Sequence, residues 1–162
     1  MTDAAAQRFE QTHALLSDTV KSCERLYNAL QDERVALAGD DAGALDSAVG
    51  RKKVHLAALE KLEQRRRALL AACRYKEDLQ SMQRFVLDND ANRELQALWS
   101  RTLELLAACR KANQTNGAVI NSQRRNTGEA LSVLRNEPQE PETYGATGKT
   151  ETTGQYRALA EV

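Results

Sequence analysis

The chain has 162 residues, with 23 basic and 23 acidic side chains and no net formal charge. That balance argues against bulk attraction to nucleic acid or to a membrane, and no apolar stretch approaches the roughly 20 residues of a membrane span. Aromatic residues make up only 4%, while Leu, Ala, Glu, Gln, Arg and Lys dominate, the composition of long packed helices.

The first predicted element covers about residues 3–38. Phe9, His13, Leu16, Val20, Cys23, Tyr27, Leu30, Arg34 and Leu37 step alternately by three and four, a coiled-coil seam interrupted at His13 and Arg34. Gly39 is the expected stop, and Asp40 or Asp41 the N-cap of the next helix. The second helix is expected over 42–74. Its seam is Leu45, Val49, Lys52, Leu56, Leu59, Glu63, Arg66, Leu70 and Cys73, with Leu62 and Leu69 beside it. So short a connection makes an antiparallel hairpin. A short helix follows at about 76–87, and Asp88-Asn89-Asp90 ends it and caps the next.

The third long helix is expected over 91–135. Its seam is apolar through Leu95, Trp99, Thr102, Leu106 and Cys109, then turns polar at Asn113, Asn116 and Gln123, with Ile120 between. Asn113 and Asn116 fall near the level of Lys52, so a polar layer is expected there; the same count brings Cys23 near Leu56 and Cys109. At about 1.5 Å per residue this helix is about 15 Å longer than the first. Its last turns, 120–134, are then expected to lack a full intramolecular partner.

Pro138 and Pro141 are the only prolines, and Gly145, Gly148 and Gly154 follow. Residues 136–162 read as a flexible tail, more acidic than the body, with Tyr144 and Tyr156 to Leu159 as apolar islands. The fold class is therefore all-α: an antiparallel bundle of three long helices with one short connecting helix, over residues 1–135, and a flexible C-terminal tail over 136–162.

Candidate chemistry is thin. Cys23, Cys73 and Cys109 are widely spaced and read as reduced thiols of a cytoplasmic protein, and no secretory signal is read at the N-terminus. The histidines are His13 and His55 alone, so no metal site is expected. Asp88 to Asn92 opens like a calcium loop but has Arg93 and Trp99 where Gly and Glu are required. Thr143 to Thr150 ends like a phosphate-binding loop but has Thr143 where its first glycine belongs. The basic runs Arg51-Lys52-Lys53, Arg65-Arg66-Arg67 and Arg124-Arg125 are interleaved with acids and read as solvated faces, with contact to an acidic partner surface as the alternative. Nothing assembles a nucleophile, a base and an orienting group, so neither an enzyme nor a cofactor is expected.

Two blocks carry a resemblance. Asn113-Gln114-Thr115-Asn116-Gly117-Ala118-Val119-Ile120 runs on through Gln123-Arg124-Arg125-Asn126 to Ala130-Leu131-Ser132-Val133-Leu134. Tyr144-Gly145-Ala146-Thr147-Gly148 then matches a Y-G-x-x-G pattern. With weaker support from Lys52, Leu56 to Leu59, Leu62 and Arg66, the chain resembles the FlgN family of flagellar type III export chaperones. The resemblance implies a cytosolic chaperone that binds the C-terminal helices of the first and second hook-associated proteins, prevents their premature assembly and delivers them to the export gate. The helix end offers apolar residues at helical spacing where the intramolecular seam turns polar, so cargo binding is expected at Asn113, Asn116, Gly117, Val119, Ile120, Gln123, Leu131 and Leu134. The resemblance implies docking of Tyr144, with Gly145 and Gly148, on the cytosolic domain of the gate, with the export ATPase complex as a further partner; the alternative is that Tyr144 folds back onto the bundle. Nucleic acid and membrane insertion are not expected. The tail is longer than in enteric members, so 149–162 inherit no role. The competing readings are a structural coiled-coil or scaffold protein and, with less support, an RNA binder using the arginine runs.

Overall fold

The computed structural model describes residues 3–90 and 93–134. Among them there are four helices and no strand: α1 (Asp3–Ala38), α2 (Ala42–Ala72), α3 (Leu79–Asn89) and α4 (Glu94–Leu134). The all-α class and the order of three long helices and one short follow the expectation. Residues to Asn121 form one compact unit and those from Ser122 a second, of which 122–134 are described. The expected boundary at 135–136 and the expected tail lie outside the described residues. α1 has 36 residues and α4 has 41, so α4 is longer by about 8 Å rather than 15.

The turn between α1 and α2 differs in detail from the expectation. The Asp41 amide donates to Ala36 O at 3.1 Å, closing a Schellman-type stop. The left-handed residue in it is Asp40, at φ 52°, and not Gly39. Asp41 is the N-cap of α2, its carboxylate accepting from the Ala44 amide at 2.9 Å. α2 ends in the same way, with the Tyr75 amide on Leu70 O at 2.9 Å and Arg74 at φ 62°.

Ion pairs record the antiparallel course of α1 and α2. Asp18 meets Arg65, Asp32 meets Arg51 and Glu33 meets Lys52. Most of the first two basic runs is thus paired along the hairpin or, for Arg66 and Arg67, with Glu63 on α2 itself. α4 runs parallel to α1: the Cys109 thiol lies 3.5 Å from Cys23 O, and the Asn116 amide donates to Leu30 O at 2.9 Å. The expected approach of Cys23 and Cys109 is present.

α3 begins at Leu79, three residues later than expected, because Asp78 caps it by accepting from the Ser81 amide at 2.7 Å. Arg66, buried on α2, holds the connection before it. It donates to Glu77 O at 2.8 Å while gripping Glu63 through two of its nitrogens. Tyr75 stacks edge-on against Phe85 and donates its hydroxyl to Asp88 at 2.7 Å. This end of the molecule is the main core: Leu16, Leu70, Met82, Phe85, Val86, Leu95 and Trp99 form one buried apolar cluster. A smaller cluster of Leu26, Leu30 and Cys109 lies farther along α1.

The seams are shifted by a residue in places. On α1 the buried polar residues are Thr12 and Glu33, whereas His13 is half-buried on the Phe9 ring and Arg34 is exposed. On α4, Leu105 is buried where Leu106 was expected, and Asn113 is exposed while Ala112 is half-buried. The physical reason is that α1 has a helix on two sides, so its buried stripe is wider than a two-helix seam.

Candidate functional site

The polar layer forms, around a residue not singled out in sequence. Glu33 is 2% exposed. Its carboxylate accepts from Lys52 Nζ at 3.0 and 3.1 Å and from Asn116 Nδ2 at 2.8 Å. Asn116 thus ties α4 to α1 through both Leu30 O and Glu33, and its own Oδ1 is buried without a partner. Asn113 takes no part in the layer. Burying a carboxylate removes its water, and the Lys52 ammonium and the Asn116 amide replace it as hydrogen-bond donors. Glu33 was missed because it neighbours the expected seam position Arg34, and its partner becomes visible only once α1 and α2 are paired.

The other expected cargo residues spread over a change in environment. Gly117 and Ile120 are half-buried, and Val119 is 37% exposed. Every residue from Asn121 to Leu131 is exposed, Gln123 among them, and Val133 and Leu134 are exposed as well. Leu131 is 47% and Leu134 81% exposed, large values for apolar side chains three residues apart on one helix. In the first unit Val119 is therefore exposed apolar surface and Asn116 is withdrawn into the interior; in the second, Leu131 and Leu134 are exposed apolar surface. Tyr144, Gly145 and Gly148 lie outside the described residues.

The first compact unit carries a second apolar feature, which sequence reading did not single out. A groove of about 370 Å3 is lined by α1, α2, α4 and the first residue of α3. The buried Leu15, Leu16 and Leu62 form its base, and the exposed Leu56, Leu79 and Leu106 its rim. Of its charged residues, Glu63 and Arg66 are paired with each other. The Glu63 carboxyl is held down at about 2, chiefly by the Arg66 hydrogen bond and then by Arg67, against the upward push of burial. Burial pushes the Cys23 thiol up to about 11, with Cys109 and Glu24 adding to the shift. Among the described residues, no group of three His, Cys, Asp or Glu side chains could hold a metal ion, and no helix is long and apolar enough to cross a membrane.

The described residues are all-helical and leave apolar side chains exposed on a helix end and along a groove between helices. The chain belongs to the FlgN family: the sequence profile of the FlgN protein family matches residues 1–152. That membership supports a flagellar chaperone role. No curated protein and no solved structure gives a significant match.

Proposed function

We propose that this chain is a cytosolic export chaperone of the flagellar type III system. It binds the C-terminal helical segments of the first and second hook-associated proteins, keeps them unassembled and delivers them to the export gate. The observation that carries this reading is the exposed apolar end of α4, with Leu131 and Leu134 at 47% and 81% exposure, inside the stretch that the family profile matches. An amphipathic cargo helix laid alongside would cover them. Gln123 lies on the same exposed stretch, Gly117, Val119 and Ile120 precede it on α4, and Asn116 holds that earlier part of the helix from within. Asn113 offers an exposed amide to the cargo.

The tail carries the second half of the reading. Tyr144, with Gly145 and Gly148, docks on the cytosolic domain of the gate, its large amphipathic ring serving as the anchor. The export ATPase complex is a further partner in delivery. The test is a pair of variants in the full chain. Leu131→Asp with Leu134→Asp changes exposed positions only; it should abolish capture of hook-associated protein C-terminal fragments and spare gate binding. Tyr144→Ala should do the reverse. If Tyr144→Ala abolishes cargo binding and spares the gate, the two assignments are exchanged. A scaffold protein would instead self-associate through the same exposed leucines, and sedimentation of the free chain separates the two readings.

A further inference from the structure

Residues 122–134 close α4 and form the described part of the second compact unit. No side chain in this stretch is buried. A helix in a protein draws most of its stability from packing one face, so here the backbone and local side-chain interactions must suffice. Nucleation is not the obstacle, because α4 enters the stretch as a formed helix. Propagation is: its constant is only about 1–1.6 per residue even for good helix formers near 0 °C.

The sequence works against propagation. Ser122, Asn126, Thr127, Ser132 and Val133 are weak helix formers, and Gly128 is weaker still. Glycine lowers the propagation constant about fivefold relative to alanine, which takes the step at residue 128 below 1. Two hydroxyls turn back on the helix, Thr127 Oγ1 donating to Gln123 O and Ser132 Oγ to Glu129 O, both at 2.9 Å. Such bonds compete with the helical ladder. The last turn has no basic residue to meet its free carbonyls. Nor does geometry require the glycine. A Cβ at residue 128 would meet nothing within 4 Å, and the backbone there is not left-handed. Space and conformation leave Gly128 unexplained; a helix held near its melting point explains it.

We propose that residues 122–134 are only partly helical in the free chain, that binding completes the helix, and that Gly128 holds the affinity down. A partner that needs the completed helix binds with an apparent affinity reduced by the fraction of chains already helical. Weaker holding without loss of contact suits a chaperone that must give up what it carries. The identity of the partner rests on the chaperone reading; the state of the free segment rests on the stretch alone.

Two exposed helix-interior glycines allow a matched test in the full chain. Gly50 also has nothing within 4 Å of an added Cβ, but it lies on α2, which buries Ala48, Leu62, Arg66 and Leu70. Carbon-13 secondary shifts of the free chain should show partial helix over 122–134, against full helix over 95–116. Gly128→Ala should raise that fraction. In calorimetric titration with hook-associated protein C-terminal fragments, Gly128→Ala should tighten binding about two- to fivefold, the upper figure being the whole alanine-for-glycine difference. Gly50→Ala should raise the melting temperature and leave the affinity unchanged.

Full helical shifts over 122–134 in the free chain would overturn the proposal. So would a Gly128→Ala variant with more helix and the same affinity, or a Gly50→Ala variant that tightens binding as much. Helix over 122–134 that grows with chain concentration would give the ordering to a second copy and overturn it too. If the fragments bind no variant while the free shifts are partial, the chaperone reading falls and the marginal helix stands. If they bind a chain already fully helical over 122–134, the chaperone reading stands and the proposal falls.

Discussion

The two ends of the α1–α2 hairpin are held by opposite chemistries. Far from the turn, Leu16, Leu70, Met82, Phe85, Val86, Leu95 and Trp99 bury one another with no polar atom of a charged side chain among them. Near the turn, the same α1 and α2 meet α4 through an acid, a base and an amide: Glu33, Lys52 and Asn116. Apolar contact is strong but non-directional, so that cluster supplies stability and tolerates sliding. Hydrogen bonds to a buried carboxylate are directional. The polar layer therefore sets the register of α4 just before the exposed stretch that begins at Asn121.

The comparison breaks most readily at the apolar end. Phe85 is fully buried, and Phe85→Ala should cost about 3–5 kcal/mol, read as a lowered midpoint in urea unfolding. Next in size is the layer itself. Glu33→Leu should cost up to about 3 kcal/mol, less than a sealed ion pair, because the Lys52 side chain is 21% exposed and can turn to water. Replacing all three residues, as Glu33→Leu, Lys52→Met and Asn116→Leu, should restore most of that stability while loosening α4. The same unfolding curves, with nuclear magnetic resonance line widths in α4, check both halves. A triple variant as sharply ordered as wild type would remove the register role from the layer.

A third test sharpens the apolar end, where Arg66 and Glu63 stitch α2 to the connection before α3. The Glu63 carboxyl moves from 4.5 down to about 2 on folding. A depressed folded-state value means that its contribution is fully present above about pH 4.5 and is lost as pH falls toward 2. The difference in melting temperature between wild type and Glu63→Gln should therefore be constant from pH 7 to 5 and shrink between 4.5 and 2. The smallest expected effect is at Arg74, which holds φ 62° with a full side chain. Arg74→Gly should stabilise by about 1 kcal/mol, measured by thermal unfolding.

Much of this comparison was legible beforehand, and the reasons differ by residue. The range of α1 and the place of the hairpin follow from three-four periodicity and from Gly39-Asp40-Asp41, both local signals. The late start of α3 depends on Arg66 reaching Glu77 O across the connection, which no local pattern carries. The one-residue shifts to Glu33 and Leu105 come from α1 being flanked on two sides. The polar layer was expected from Lys52, Asn113 and Asn116; Asn113 is exposed instead, and the layer's centre, Glu33, was not singled out beside the expected seam position Arg34. The groove was invisible in sequence because Leu56 and Leu106 read as seam residues, and the structure leaves both of them on an open rim. Of the candidate site, the exposed leucines of α4 were legible as apolar residues on a polar seam; the burial of Asn116 was not.

The proposed role makes α4 beyond the polar layer a surface kept open for a cargo helix. Amide hydrogen exchange of the full chain, with and without a hook-associated protein C-terminal fragment, tests it most directly. Exchange across residues 119–134 should slow on adding the fragment, with the amides around Glu33 unchanged. Unchanged exchange over 119–134 in the presence of bound fragment would contradict it.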